Sequence, residues 1–242
     1  MLELVGVSIS FDGLHALDDV SFGVDQGEVL GLIGPNGSGK STAFNIITGV
    51  LRPTTGRVIL EGRDITGRKS HEIARLGIGR TFQLVRPFLE LTALDNVLAG
   101  ALFGARRAGR RRDGRTRAEA ILDEVGLADK AGMRASSLTV LERKRLEVAR
   151  ALAGWPKVLL LDEFMAGISQ GDVPEAVKLV GHINESGIAV VIVEHIVKAV
   201  TSTCDRVVVL DAGRKLADGA VSDVVDDPAV VAAYLGTRRA RR

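Results

Sequence analysis

Residues 34–42 read Gly-Pro-Asn-Gly-Ser-Gly-Lys-Ser-Thr and follow directly on the apolar run EVLGLIG (28–34). Gly34, Gly39, Lys40 and Ser41 match G-x-x-x-x-G-K-[ST], in the strand–loop–helix setting that a phosphate-binding loop requires. Gly37 and Gly39 let backbone amides turn inward around phosphate oxygens. A helix starting near Lys40 adds about half a positive charge at its N-terminus. Lys40 can neutralise β- and γ-phosphates, Ser41 can place its hydroxyl on Mg²⁺, and Thr42 can reach a phosphate oxygen. Gly34, Pro35, Asn36, Gly37, Ser38, Gly39, Lys40, Ser41 and Thr42 are therefore the candidate nucleotide-binding residues.

A second stretch, VLLLDE (158–163), is an apolar strand that delivers Asp162 and Glu163 at its C-terminal end. Ligands in open α/β sheets collect at that edge. Asp162 can hold Mg²⁺, directly or through water, and Glu163 can polarise an attacking water; general-base help of this kind is worth on the order of 10²–10⁴-fold. A solvated sheet edge is the alternative reading. No Asn-Lys-x-Asp stretch is present, which argues against a guanine-specific GTPase.

The rest of the chain suits an α/β fold. Short alternating runs in 1–30 and 57–61 predict a β-rich first lobe, with turns at FDG, DQGE and TTG. Residues 41–50 predict a helix. From about 84 to 155 the spacing is helical, and buried strands return at 157–163, 188–195 and 206–213 as runs apolar on both faces, the mark of a parallel sheet. One domain over 1–242 is expected: a β lobe and core in about 1–83 and 156–242, and a helical subdomain in about 84–155.

With 242 residues, 46% of them hydrophobic, a sizeable core is within reach. No apolar stretch approaches the ~20 residues needed to cross a bilayer. The start does not read as a signal peptide, and the one cysteine, Cys204, allows no internal disulfide, so a reduced cytosolic setting is expected. Net charge is +2, yet 105–117 carries +6 and 237–242 carries +4, leaving −8 for the remainder. Such basic patches suit nucleic acid or anionic lipid headgroups, or are simply solvated loop and chain end.

Three further stretches join these motifs: ISFDGLHALDDVSF (9–22) with Phe11, GRTFQ (79–83) with Gln83, and VVIVEHIVKAV (190–200) with His195. In this order the five motifs resemble the ATP-binding subunits of ABC transporters, over essentially the whole chain. IARLGIGRTFQLVRPFLELTALDNVLAGAL, CDRVVVLDAGRKLADG and DPAVVAAYLG are similar to the branched-chain amino-acid uptake group. The resemblance implies a P-loop NTPase fold with a mainly parallel core sheet, an antiparallel β lobe and a helical insert, and an Mg²⁺-dependent ATPase coupled to transport. It also implies roles: Phe11 on adenine, Gln83 on Mg²⁺ and water, His195 on the γ-phosphate. Bland alternatives are core filling for Phe11, a surface polar residue at Gln83 and a satisfied core histidine at His195. Implied partners are transmembrane permease subunits, a second ATP-binding subunit and, indirectly, a substrate-binding protein, at the inner face of the cell membrane; no nucleic acid is expected. A soluble ABC ATPase of translation or DNA repair is the alternative.

Two departures stand out. The family's Leu-Ser-Gly-Gly-Gln signature falls on Leu138-Thr139-Val140-Leu141-Glu142. Thr139 and Glu142 fit a capping box, so a helix still starts there and Thr139 remains a candidate nucleotide contact. Val140 and Leu141 put side chains where glycine admits a close approach, and Glu142 adds negative charge; a capped helix with no nucleotide contact is the alternative. After Glu163, Phe164 and Ser169 also differ from the family pattern, at the segment that the resemblance makes the link between two ATP sites; the unusual LTVLE stretch points to a second, non-identical ATPase subunit with a standard signature, a homodimer being the alternative.

Overall fold

The structure, a computed structural model, describes residues 1–82, 87–103, 111–194 and 197–239. A hairpin of β1 (Leu2–Phe11) and β2 (Leu14–Val24) leads into β3 (Val29–Ile33) and α1 (Lys40–Ile47). Then come β4 (Thr55–Leu60), β5 (Arg63–Asp64), α2 (Ser70–Leu76) and β6 (Ile78–Arg80). Three helices follow: α3 (Ala93–Phe103), α4 (Arg111–Glu124) and α5 (Val140–Ala153). The last part alternates: β7 (Val158–Asp162), α6 (Val173–Glu185), β8 (Ala189–Val193), α7 (Val197–Thr203), β9 (Arg206–Asp211), β10 (Arg214–Ala220), α8 (Val221–Val225) and α9 (Pro228–Arg239).

The strands make two sheets, an antiparallel one ordered β2-β1-β4-β5 and a six-stranded one ordered β10-β9-β3-β8-β7-β6. In the larger sheet β9, β3, β8, β7 and β6 run parallel, and β10 closes one edge antiparallel to β9. The runs read as buried strands are apolar throughout because both faces are covered. Along β7, Leu159 and Leu161 face a core shared with the helices, while Val158 and Leu160 face a core shared with α1 and the antiparallel sheet. Neighbouring side chains on a strand point to opposite faces, so one apolar run serves two cores.

The helices between β6 and β7 pack by the other period. Ala118, Ile121 and Leu122 on α4, with Val125 just past its end, lie three and four residues apart and are all buried; Ala176, Leu179, Val180 and Ile183 do the same on α6, between β7 and β8. Because β6 and β7 are adjacent parallel strands, the whole helical segment is a long crossover whose ends return to neighbouring positions on the sheet. Three strands differ from the sequence expectation, the two-residue β5 among them. β10 is polar and largely exposed, so it lacks the apolar pattern, and it is tied to β9 by a tight turn in which Ala212 and Gly213 have φ of 45° and 80°. β6 has three residues, too few for a period. Among the described residues no helix is long and apolar enough to cross a membrane.

Candidate active site

β3 sits between β9 and β8 in the larger sheet, with all five residues buried. At its C-terminal end the chain leaves through Gly34, whose φ is 145°. A Cβ there would collide with the Leu210 carbonyl on β9, so only glycine lets the loop depart this close to the sheet. Gly39, the N-cap of α1, has φ 106°, and a Cβ there would lie 2.6 Å from the Ala16 carbonyl oxygen. Between these points the loop curls around the Lys40 ammonium, which donates to the carbonyls of Gly34 and Pro35, both at 2.8 Å, and to Ser38 Oγ at 3.2 Å. Burial pushes the Lys40 pKa down, and the carboxylates of Glu163 and Asp162 pull it back up.

Asp162 ends β7 and is buried, with its backbone N–H donating to Thr81 Oγ1 at 3.2 Å. Arg80 Nη2 donates to Asp162 Oδ2 at 2.9 Å. The other terminal nitrogen of Arg80 reaches back to α1, to Asn45 Oδ1 at 2.8 Å and Thr48 Oγ1 at 3.2 Å. The guanidinium also lies against the Phe44 and Phe82 rings, 5.5 and 5.1 Å from their centroids. Glu163, the next residue, holds a left-handed backbone with φ 51°.

An open cleft of about 650 Å³ is lined by residues 36–42 together with Ala16 and Glu163. It joins the loop to one of the two acidic residues. A Cβ on Gly37 would meet nothing within 4 Å, so the backbone there is bare towards the cleft. Loop amides, a lysine and the N-terminus of α1 fit a polyphosphate. Hard oxygen donors at Ser41 and Asp162 fit Mg²⁺. Among the described residues no group of three or more His, Cys, Asp or Glu gathers as a metal site. A cation held here would complete its shell with phosphate oxygens and water, as Mg²⁺ does at phosphate sites.

Thr139 caps α5: the Glu142 N–H donates to Thr139 Oγ1 at 3.4 Å, and the Thr139 N–H donates to Glu142 Oε2 at 2.8 Å. The other carboxylate oxygen of Glu142 accepts from the Lys130 ammonium. That hydrogen bond, ahead of the caps from Thr139, holds the Glu142 pKa below its usual value. The added negative charge of the altered signature is thus paired within the chain. Val140 is 54% exposed at the same helix tip. Neither Thr139 nor Phe11, which is 46% exposed at the end of β1, is among the residues lining the cleft of this same chain. Phe11 is not core filling. Gln83 and His195 lie outside the described residues.

Sequence reasoning passed over Arg80 although GRTFQ contains it, because Arg80 and Asp162 are 82 residues apart and only the β6–β7 pairing joins them. It also passed over Lys144 and Glu194. Lys144, on α5, donates to the Glu163 carbonyl at 2.9 Å. Glu194, just after β8, accepts from the Met165 N–H at 2.6 Å. Nothing local in the sequence marks them, because their main-chain partners lie 19 and 29 residues away.

Residues 17–166 match the family model described as ABC transporter, and residues 214–240 match that described as branched-chain amino acid ATP-binding cassette transporter. The chain is 37% identical over 249 residues to the high-affinity branched-chain amino acid transport ATP-binding protein BraF of Pseudomonas aeruginosa, covering 98% of each chain. It is 40% identical over 218 residues to the lipopolysaccharide export system ATP-binding protein LptB of Acidithiobacillus ferridurans, covering 90% of this chain and 89% of that one. Among solved structures it resembles the ADP conformation of an ATP-binding cassette of an ABC transporter, with a TM-score of 0.89 and 33% identity, covering 98% of each chain. The loop at the end of β3, the acidic pair at the end of β7 and these full-length likenesses agree: the chain belongs to the ABC transporter family, as one of its ATP-binding cassettes.

Proposed function

We propose that this chain is the Mg²⁺-dependent ATPase subunit of an importer for branched-chain amino acids or related small solutes. It works against permease subunits at the inner face of the membrane, with a substrate-binding protein supplying the solute. The observation that carries this is the likeness to BraF over 98% of both chains together with the match of 214–240. The LptB likeness covers less of the chain.

Residues 34–42 bind the triphosphate, with Lys40 turning from the loop carbonyls towards the β- and γ-phosphates. Ser41 and Asp162 hold the cation, whose chemistry is to neutralise charge on the transferred phosphoryl group. Glu163 polarises the attacking water; His195 and Gln83 contact the γ-phosphate and the water and cation; Phe11 stacks on adenine. Thr139 meets the nucleotide held by a second, non-identical subunit. Val140 and Leu141 keep that contact looser than glycines would, so the site built on this chain's Lys40 and Glu163 is the more active of the two.

The permease docks on the helical segment near Gln83–Asn96. Phe82, Phe88, Leu89 and Leu91 are exposed there, unusual for large apolar residues so close in sequence. The fully buried Asn96 braces that turn, accepting from the Phe88 N–H at 2.8 Å and donating to the carbonyls of Phe88 at 3.0 Å and Thr92 at 2.9 Å.

The test is uptake of labelled leucine, isoleucine and valine in cells lacking this gene. Saturable uptake should fall, return with the unaltered chain and stay low with Glu163→Gln. Unchanged uptake in the deletion strain would remove the branched-chain assignment.

A further inference from the structure

Glu163 is held from behind. Its φ of 51° is a conformation that residues other than glycine rarely adopt, and such strain persists only where the surroundings over-determine it. Its N–H donates to the Val193 carbonyl at 2.9 Å. Its carbonyl accepts twice, from the Ala166 N–H at 3.1 Å and from Lys144 Nζ at 2.9 Å. Two residues on, the Met165 N–H donates to Glu194 Oε1. Lys144 and Glu194 are both buried. Burial pushes the Lys144 pKa down, and the carboxylates of Glu194, Glu147 and Glu163 oppose that shift. Neither side chain lines the nucleotide cleft.

Burying an ammonium and a carboxylate costs more than burying apolar groups of the same size, so such groups are poor devices for stability alone. Here both are aimed at main-chain atoms of one short segment, from two different elements. We infer that Lys144 and Glu194 are positioning residues of the ATPase: together they fix the left-handed turn at Glu163 and so aim its carboxylate into the cleft. This rests on the reading of Glu163 as the residue that polarises water. It adds a link, because Lys144 sits little more than one turn beyond Thr139 on α5. The helix that would face the second subunit therefore grips the peptide that carries Glu163.

The chain assembled with its partner ATPase and permease subunits is assayed for steady-state ATP hydrolysis, and the chain itself for affinity towards a fluorescent ATP analogue and for thermal unfolding, as wild type, Lys144→Met, Lys144→Arg and Glu163→Gln. Lys144→Met should lower kcat by about tenfold or more while affinity changes by less than about twofold, the pattern of a group acting on the chemical step. Lys144→Arg, which keeps a cationic donor, should recover most of the lost rate. Where Lys144→Met alone does not fold, Lys144→Met/Glu194→Gln removes both charges together and should show the same fall in kcat. Wild-type kcat in either variant overturns the inference. So does a parallel loss of rate, affinity and melting temperature that Lys144→Arg does not repair. If Glu163→Gln itself turns over normally, the role given to Glu163 fails, whatever the Lys144 variants do.

Discussion

Asp162 shows what a buried carboxylate at a strand end requires. Its partner Arg80 is 9% exposed and Asp162 itself 6%, so neither charge has much water to fall back on. Arg80 in turn spends its second terminal nitrogen on α1, which carries the phosphate loop's lysine. One guanidinium thus ties the carboxylate at the end of β7 to the helix behind the loop. Removing one member of a buried pair strands the other charge, at a cost of about 3–5 kcal/mol. Arg80→Met should therefore lose about that much in urea unfolding. Arg80→Met/Asp162→Asn should lose clearly less than the sum of the two single changes, since the pair is coupled. Strict additivity would show that the 2.9 Å contact carries no weight. At this scale the sequence disclosed the groups with a fixed local pattern: Gly34, Gly39, Lys40 and the Asp162–Glu163 pair are all read within a few residues. It concealed those defined by distant partners, such as Arg80, Lys144 and Glu194, because a charge in a helical or apolar run looks the same whether it meets solvent or a main-chain carbonyl.

The start of α5 carries the chain's most evident departure from its family. The capping box was legible, because Thr139 and Glu142 stand three apart ahead of a helical pattern. Lys130 was not, since it reaches Glu142 across a loop. The pair fixes a pH dependence. The Glu142 pKa is lowered in the fold from 4.5, chiefly by the Lys130 hydrogen bond, so its contribution is present above 4.5 and is lost as pH falls through the lowered value. The Lys130 pKa is raised from 10.5, chiefly by its hydrogen bond to Glu142, so its contribution holds below 10.5 and is lost as pH rises past the raised value. The wild-type chain should therefore melt above Glu142→Gln near neutral pH, with the gap closing as pH drops below 4.5. A gap that persists in acid would mean that Glu142 acts through something other than its charge. Strands follow the same logic of visibility. The runs that became β3, β7, β8 and β9 were legible because both their faces are buried. β10 was hidden by its polar, exposed edge, and the turn at Ala212–Gly213 gave no Asn-Gly or Asp-Gly signal.

For the molecule as a whole, sequence pattern pointed to an α/β fold with a parallel core sheet, a β-rich lobe and a helical insert, the family resemblance made that lobe antiparallel, and the structure has these parts. Strand order was not legible, because apolar runs of similar composition do not say which is whose neighbour. The order β10-β9-β3-β8-β7-β6 is what brings the end of β3 and the end of β7, more than a hundred residues apart in the chain, to one edge. There residues 36–42 and Glu163 share a cleft that Thr139 does not line. Everything assigned to the nucleotide depends on that edge, and the most direct test is the affinity of the purified chain for Mg-ATP with and without the Lys40 ammonium. A charge-assisted contact of this type is worth about 1.5–3 kcal/mol, so Lys40→Ala should bind Mg-ATP about ten- to a hundredfold more weakly while keeping its fold by circular dichroism. If folded Lys40→Ala held Mg-ATP as tightly as the unaltered chain, residues 34–42 would not be the phosphate site.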